Sequence, residues 1–544
     1  MQIDRVWIFV ILLLSAVAAL YGQFLWNPII FDDLPFFMVD NEGNQPVSSY
    51  HFELLQLRSL PYATLAWTKA WFGLDLIGFR IGNLVLHAAV VLALYFFLAT
   101  MFAAMNTKQS KNELSARRAA FFAALLFALH PVATYAAGYL VQRTIIMATL
   151  FCLLAMLSYV HGSVRGKPLW LWMSVPFYYL AVFSKEHAIM LPAVLLALTV
   201  LLHDDWRTKL KQRWAIFAAL GAIAVFVVLL RGLLGAVYEI NAPEMLQGVD
   251  STLSYPLSMV TQSWLFFKYA LLWLFPNPAW MSVDMREPFA QSLLSAYLLA
   301  AFGFVAWGIG AFWLLLKRGR LGLVGFAMLF PWFMFFTEFS AVRIQEPFVL
   351  YRSYLWAAGA LCLLPVLFSM AEARVATFVL AAIALAMMAV SMERLMTFSH
   401  PVLLWDDAEK LVKGRTDLPG AYRIYYNRGT ELIKIDKPDQ AIADLKRAIA
   451  LSSDFAEGYG NLGAAYFKKG DWQNAASSFS KAIEIAQSGG KALTPRYVYG
   501  RAKAYEKMGE MEKAQGDYKE SCRLGNRGCE KINPAPTVTL PTQK

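Results

Sequence analysis

Residues 79–103 read FRIGNLVLHAAVVLALYFFLATMFA, a stretch whose only charged side chain is Arg80 and whose only histidine is His87. A helix needs about 20 apolar residues to cross the hydrocarbon core of a bilayer, so this segment reads as a membrane span. Ten more apolar runs, of 15 to 26 residues, read as spans too: 5–25, 119–137, 144–161, 169–183, 188–203, 214–231, 291–316, 321–338, 353–370 and 375–392. A twelfth, 259–275, is ambiguous. The composition agrees, because 58% hydrophobic and only 16% charged residues lie outside the range of soluble domains. The formal charge of +11 would point to nucleic acid in a soluble protein. Here much of the excess sits in short clusters between apolar runs, where it sets orientation instead.

Those clusters are NTKQSKNELSARR (106–118), SVRGKP (163–168), DDWRTKLKQR (204–213) and KRGR (317–320). The positive-inside rule assigns all four to the cytoplasm, and eleven crossings satisfy it if 259–275 is re-entrant or lies on the surface. The loop 26–78 and the polar C-terminal part then share the opposite compartment. AVA at 16–18 resembles a cleavage site, but the apolar run continues to Trp26, so the first segment reads as an uncleaved anchor. Cys152 and Cys362 fall within apolar runs, while Cys522 and Cys529 flank RLGNRG and are either bridged or free.

The polar part repeats. YYNRGTELIKIDKPDQAIADLKRAIAL, YGNLGAAYFKKGDWQNAASSFSKAIEI and VYGRAKAYEKMGEMEKAQGDYKESCRL place Ala441 and Ala475 34 residues apart, with Ala514 in the same role after an insertion. This pattern resembles the tetratricopeptide repeat (TPR), with Gly429, Gly463, Ala448 and Ala482 at the small positions of paired helices. Leu445, Tyr466, Phe479 and Tyr518 supply the bulk between them. The expected fold is therefore all-α, a membrane domain over 1–392, a linker over 393–420, repeats over 421–532 and a disordered tail over 533–544. The repeats form either a structural cap or a docking surface for a polypeptide.

Ionisable side chains in or beside membrane segments are costly to keep, which makes each a functional candidate. On the non-cytoplasmic side these are Asp32, Asp33, Arg58, His87, His130, Arg143, Lys185, Glu186, Asp284, Arg343 and Arg352. Two adjacent carboxylates suit a general base, and the arginines and lysine suit an anionic substrate such as a phosphate. Each has a plainer reading. Asp32 and Asp33 could cap the helix near Leu34, His87 could be a packing residue and His130 a helix-end cap. Arg143 and Arg352 could snorkel, and Lys185 and Glu186 could neutralise each other. No metal-ligand spacing, CxxC pair, calcium loop or phosphate-cradling glycine loop occurs.

The ordered motifs FDDLPFF, LRSLPYATLAW, FRIGNLVLHAAV, FALHPVATYAAGYLVQR, SKEHAIMLPAV, LFPNPAWMSVD and LYRSYLWAAG, followed by the repeats, resemble the transmembrane-and-TPR O-mannosyltransferases. That family belongs to the GT-C class of membrane glycosyltransferases, and the likeness runs from about 26 to about 525. The resemblance implies a catalytic carboxylate in the pair Asp32 and Asp33, with Asp33 taken as base and Asp32 orienting it or holding the acceptor. It further implies roles around donor phosphate and acceptor for Arg58, His87, His130, Arg143, Lys185, Glu186 and Asp284. Arg58, Arg143, Lys185 and Arg352 are the candidates for the donor phosphate, and His87, His130, Glu186 and Asp284 for the substrate.

Two departures stand out: His130-Pro-Val-Ala-Thr-Tyr135 replaces the family's His-Pro-Val-His-Thr-Glu, and Tyr351-Arg352 replaces its Glu-Arg. The expected reaction is inverting transfer of a sugar, mannose or another hexose or pentose, from a polyprenyl-phosphate donor to Ser or Thr of a protein docked by the repeats. No cofactor is expected beyond that donor, and no nucleic acid. Short loops and compact size point to a bacterial inner membrane, with repeats and catalytic loop in the periplasm. The rivals are a non-enzymatic assembly factor and a GT-C enzyme acting on a glycolipid or polysaccharide.

Overall fold

A computed structural model describes residues 3–37, 46–106, 113–233, 251–344, 346–368, 370–489, 494–525 and 528–532. Residues 107–112 of the first basic loop and the tail expected to be disordered lie outside them. Among the described residues the chain is helical, and the one β-bridge joins Met285 to Phe348 in antiparallel fashion. Two compact units divide at residue 400, Met1–His400 and Pro401–Lys544.

The first unit contains α1 (Ile3–Tyr21), α2 (Ser59–Phe72), α3 (Leu76–Asn106), α4 (Glu113–Ala128), α5 (Pro131–Ala137), α6 (Arg143–Arg165) and α7 (Pro168–Ser184). It continues through α8 (Leu191–Leu202), α9 (Trp206–Gln212), α10 (Trp214–Leu233), α11 (Ser254–Leu274), α12 (Ala296–Lys317), α13 (Gly319–Phe335), α14 (Tyr354–Ala360) and α15 (Ala373–Thr397). Seven described helices are long and apolar enough to cross a membrane, and nine segments are if each of two bent pairs is one span. The eleven runs read from sequence include two that fall short here. Run 169–183 sits in α7, which has only 17 residues, and 188–203 in α8, which has 12. Run 119–137 is the pair α4 and α5, bent by 64° where His130 caps and Pro131 opens the next helix. The ambiguous run 259–275 forms α11, which is not among the spans.

The outward faces of the spans stay apolar, with Phe302, Ile309, Phe378 and Leu385 all exposed. In water such faces would be a liability, and in a bilayer they are the solvated surface.

Residues 393–420, expected as a linker, hold the end of α15 in the first unit and a further helix, α16 (Pro401–Val412), in the second. Three antiparallel pairs follow: α17 (Tyr422–Lys434) with α18 (Pro438–Leu451), α19 (Ala456–Lys469) with α20 (Trp472–Ser488), and α21 (Pro495–Met508) with α22 (Met511–Arg523). The small residues allow the expected close approach. A Cβ on Gly429 would lie 2.9 Å from Leu445, and one on Gly463 would lie 2.9 Å from the Phe479 ring. Ala448 and Ala482 are fully buried. Two pairs are also clamped by a bidentate ion pair at the same repeat position. Arg428 donates to both oxygens of Asp444 at 2.7 and 2.8 Å, and Arg501 to both of Asp517 at 2.7 and 2.9 Å.

Cys522 and Cys529 are bridged, with Cα atoms 4.7 Å apart, which ties α22 to the short α23 (Gly528–Ile532). Replacing Cys522 with Ser should cost about 2–3 kcal/mol by releasing this small loop. Hydrogen exchange should then speed up over 511–532 and stay unchanged over 456–488. Equal exchange in both proteins would show that the bridge stabilises nothing.

Candidate functional site

Ile30 is extended, and Phe31 then takes a left-handed backbone with φ 45°, opening a single turn over Phe31–Asp33. This turn docks on residues 139–141, far away in sequence. The backbone N–H of Asp32 donates to the Tyr139 hydroxyl at 2.6 Å. The backbone N–H groups of Val141 and Leu140 donate to Oδ1 and Oδ2 of Asp33 at 2.8 and 3.3 Å. Asp33 is therefore fully buried, with both carboxylate oxygens engaged by backbone. Burial pushes its carboxyl up to about 7, against the opposing pull of the Val141 N–H and the Arg80 guanidinium.

Asp32 is half-buried and lines a cleft with about 480 Å³ of free space, counting the part open to solvent. Tyr139, Asp284, Arg286, Glu346 and Tyr351 are among the other lining residues. The Met285–Phe348 bridge brings the last four together, since it pins residues 281–290 beside 344–351. Asp284 is held by Arg286, whose Nε and Nη2 lie 2.7 Å from its two oxygens. Asp32 thus shares a cleft with the Asp284–Arg286 pair and Glu346.

The four expected phosphate ligands differ in what already occupies them. Arg143 is buried and committed. Its Nε donates to Asn83 at 2.7 Å, Nη2 to the Phe79 carbonyl at 2.9 Å, and Nη1 to Thr64 and Thr68. It joins α6 to α2 and α3, and does not line the cleft. Arg58 forms a two-point ion pair with Glu186, one contact being Nε to Oε2 at 3.1 Å. Arg352 donates to Glu338 at 3.0 Å and to Glu346 at 3.2 Å. Lys185 is different: its hydrogen bonds go to the neutral Gln142 and Thr144, both at 3.3 Å. Its ammonium sits 4.9 Å from the centroid of the Tyr351 ring, so it stands behind a wall of the cleft. Burial, then the neighbouring Arg58, lower its ammonium to about 7.

The substrate candidates scatter. Of them Asp284 lines the cleft, whereas Glu186 is taken by Arg58 and the two histidines lie elsewhere. His87 is fully buried, with Nδ1 2.6 Å from the Tyr354 hydroxyl. His130 caps α5 by accepting from the Val132 N–H at 3.2 Å and stacks on Trp273 with centroids 4.1 Å apart. Arg286, Tyr139, Glu346 and Glu338 were not singled out from sequence. Glu338 carried a usable signal, an acid inside the apolar run FMFFTEFS, while the other three are recognisable only once distant segments meet. Among the described residues no three His, Cys, Asp or Glu side chains gather as a metal-ligand set.

Fold and site together define an all-helical, multi-pass membrane protein that carries a TPR array. A tetratricopeptide-repeat model matches residues 454–526, and a second TPR model matches 431–470. The chain is similar to the human protein O-mannosyl-transferase TMTC4, at 26% identity over 247 residues, covering 41% of this chain and 29% of that protein. The mouse protein of the same name is 25% identical over 242 residues, covering 39% and 32%. A shorter match, 34% over 70 residues, is to the Hsp70-Hsp90 organizing protein of Triticum aestivum, covering 13% of this chain and 12% of that one. The chain thus spans about a third or less of the length of these curated relatives. A solved crystal structure of MamA protein aligns over 27% of this chain and 75% of its own at 26% identity, with a TM-score of 0.21, too low to inform the fold.

Proposed function

We propose that this protein is a membrane glycosyltransferase that moves a sugar from a lipid-phosphate donor to a Ser or Thr hydroxyl of a protein, and that Asp32 rather than Asp33 is its base. The observation that carries the reading is the position of Asp32, a half-buried carboxylate on a polar cleft, with Asp33 spent on backbone behind it. The similarity to protein O-mannosyl-transferases supports the reaction class. The TPR array supports a polypeptide acceptor, and the Cys522–Cys529 bridge supports an oxidising compartment for it, the periplasm in a bacterium.

Asp32 takes the proton of the acceptor hydroxyl as its oxygen bonds to the anomeric carbon. The bond from that carbon to the phosphate oxygen breaks, the electron pair leaves with the lipid phosphate, and the configuration inverts. Phosphate is already a good leaving group, so one carboxylate suffices where a glycosidase uses two. Lys185, with Arg58 and Arg352 beside it, supplies the positive potential that favours the departing phosphate. The reading is tested by incubating the purified protein with polyprenyl-phosphate mannose and periplasmic proteins and following label into polypeptide. No transfer from this or any other polyprenyl-linked sugar would sink it.

Lys185 adds a pH dependence whose sign is fixed. Its ammonium is charged below about 7 and neutral above, so donor binding should weaken as pH rises from 6 to 9. Lys185→Met should raise donor KM by roughly tenfold at pH 6, the size of one hydrogen bond to a charged group. The variant should also flatten the profile. A wild-type donor KM independent of pH would remove Lys185 from the phosphate site.

A further inference from the structure

The first helices of the three repeat pairs, α17, α19 and α21, are joined by a polar chain that crosses all of them. The Asn461 amide donates to the Thr430 hydroxyl at 2.8 Å, and Arg496 Nη2 donates to the Asn461 amide oxygen at 3.3 Å. Asn461 is buried and so fixes the position of Arg496, which is exposed. Residues 496, 499 and 503 follow helical spacing, which puts Lys503 on the same face of α21 two turns further on. Its ammonium lies 5.0 Å from the centroid of the Phe467 ring and 5.9 Å from that of Tyr499, both half-buried.

Neither cation is answered. A guanidinium has five N–H groups and an ammonium three, yet among the described residues no carboxylate forms an ion pair with Arg496 or Lys503. Arg428 and Arg501, by contrast, each hold an aspartate. The nearby acids do not change this. Glu506 of α21 is taken by Lys531 at 3.0 Å, and Glu457, which with Arg496 acts on Tyr426 and Tyr497, forms no ion pair with it. Over 421–532 there are 19 Lys and Arg against 14 Asp and Glu, so the field of the array favours an anionic partner.

The spacing narrows the partner further. Two helical turns separate Arg496 from Lys503, about 10 Å along the axis. An extended polyproline-type chain repeats every three residues over about 9 Å, so carboxylates at i and i+3 match the two cations. The Phe467 and Tyr499 rings offer apolar surface to the side chains between them. We infer that this face binds an extended acidic segment of a polypeptide, with Asp or Glu at positions three apart. That the segment belongs to the glycosylated acceptor rests on the transferase reading, whereas the binding itself does not.

Fluorescence anisotropy of the full chain in detergent, with no sugar donor present, tests it. The probe is a labelled peptide, amidated at its C-terminus, with two Asp three residues apart, and its Asn analogue is the control. The Asp peptide should bind roughly tenfold tighter or more, and the difference should shrink at about 0.5 M salt. Arg496→Gln and Lys503→Gln should each weaken binding roughly 3- to 10-fold, the loss of one hydrogen bond, with melting unchanged. Lys519 is an exposed cation on α22, and Lys519→Gln should bind as the wild type does. Equal binding of the two peptides would overturn the proposal, as would wild-type affinity in both folded Arg496→Gln and Lys503→Gln. Absent peptide binding beside intact sugar transfer would remove this surface and leave the transferase reading standing. Peptide binding without transfer would do the reverse.

Discussion

Asp32→Asn should lower sugar transfer by roughly 10²- to 10⁴-fold, the usual contribution of a general base, while thermal unfolding in detergent stays where it is in the wild type. Asp33→Ala should do something different in kind. It leaves the N–H groups of Leu140 and Val141 without acceptors in a fully buried place, at about 1–3 kcal/mol each, so melting should fall sharply. Its residual activity should track the fraction folded. The acidity of Asp33 adds a second handle. Between the ordinary carboxylate value near 4 and about 7, the folded chain keeps a proton that the unfolded chain has released. Stability from this group is therefore greatest at low pH and falls as pH rises through that window. The stability gap between wild type and Asp33→Ala should shrink accordingly. A folded Asp33→Asn that is dead beside an active Asp32→Asn would restore the opposite order.

Removing the Glu338 carboxylate should be the most destabilising single change in the membrane unit. It is fully buried and gathers three cationic or protonatable groups: Arg352 at 3.0 Å, His187 at 3.2 Å and Arg343 at 3.5 Å. Breaking a buried ion pair by deleting one partner costs about 3–5 kcal/mol, because the other charge stays buried without compensation. Glu338→Ala should therefore lose most of its folded yield. Glu338→Gln, which keeps the shape and some hydrogen bonding, should fall between. Arg352 also holds Glu346 on the cleft, so folded Glu338→Gln should bind donor more weakly than wild type. Unchanged melting in Glu338→Ala would mean that the cluster contributes nothing to the fold.

The helices and repeats were legible because their signals are local. A long apolar run needs no distant partner to be recognised, and a small residue every 34 positions announces paired helices before any contact is known. The count of crossings was less so, because the runs 169–183 and 188–203 were already short of the length a span needs, and α7 and α8 have only 17 and 12 residues. The acidic pair was legible as a pair, but its internal order was not. Which carboxylate meets the cleft is decided by the left-handed backbone at Phe31 and by acceptor-seeking N–H groups 107 residues away. Arg143 shows the converse. Its charge drew attention, yet its partners Asn83, Thr64 and Thr68 are unremarkable in sequence and come from two other helices. Arg286 and Glu346 gained meaning only through the Met285–Phe348 bridge, a long-range pairing with no periodic trace.

Arg58 precedes α2 with φ 64° and ψ 7°, a left-handed conformation that disfavours side chains by roughly 1–2 kcal/mol. Its N–H is fixed to the Phe183 carbonyl at 2.7 Å, so the backbone cannot relax away. The position therefore has a divided preference. Glycine, the residue this backbone would choose, abandons Glu186; arginine, the residue Glu186 requires, stays strained. Position 58 therefore stays arginine against its backbone's preference for as long as residue 186 is acidic, and β-branched side chains are excluded from it.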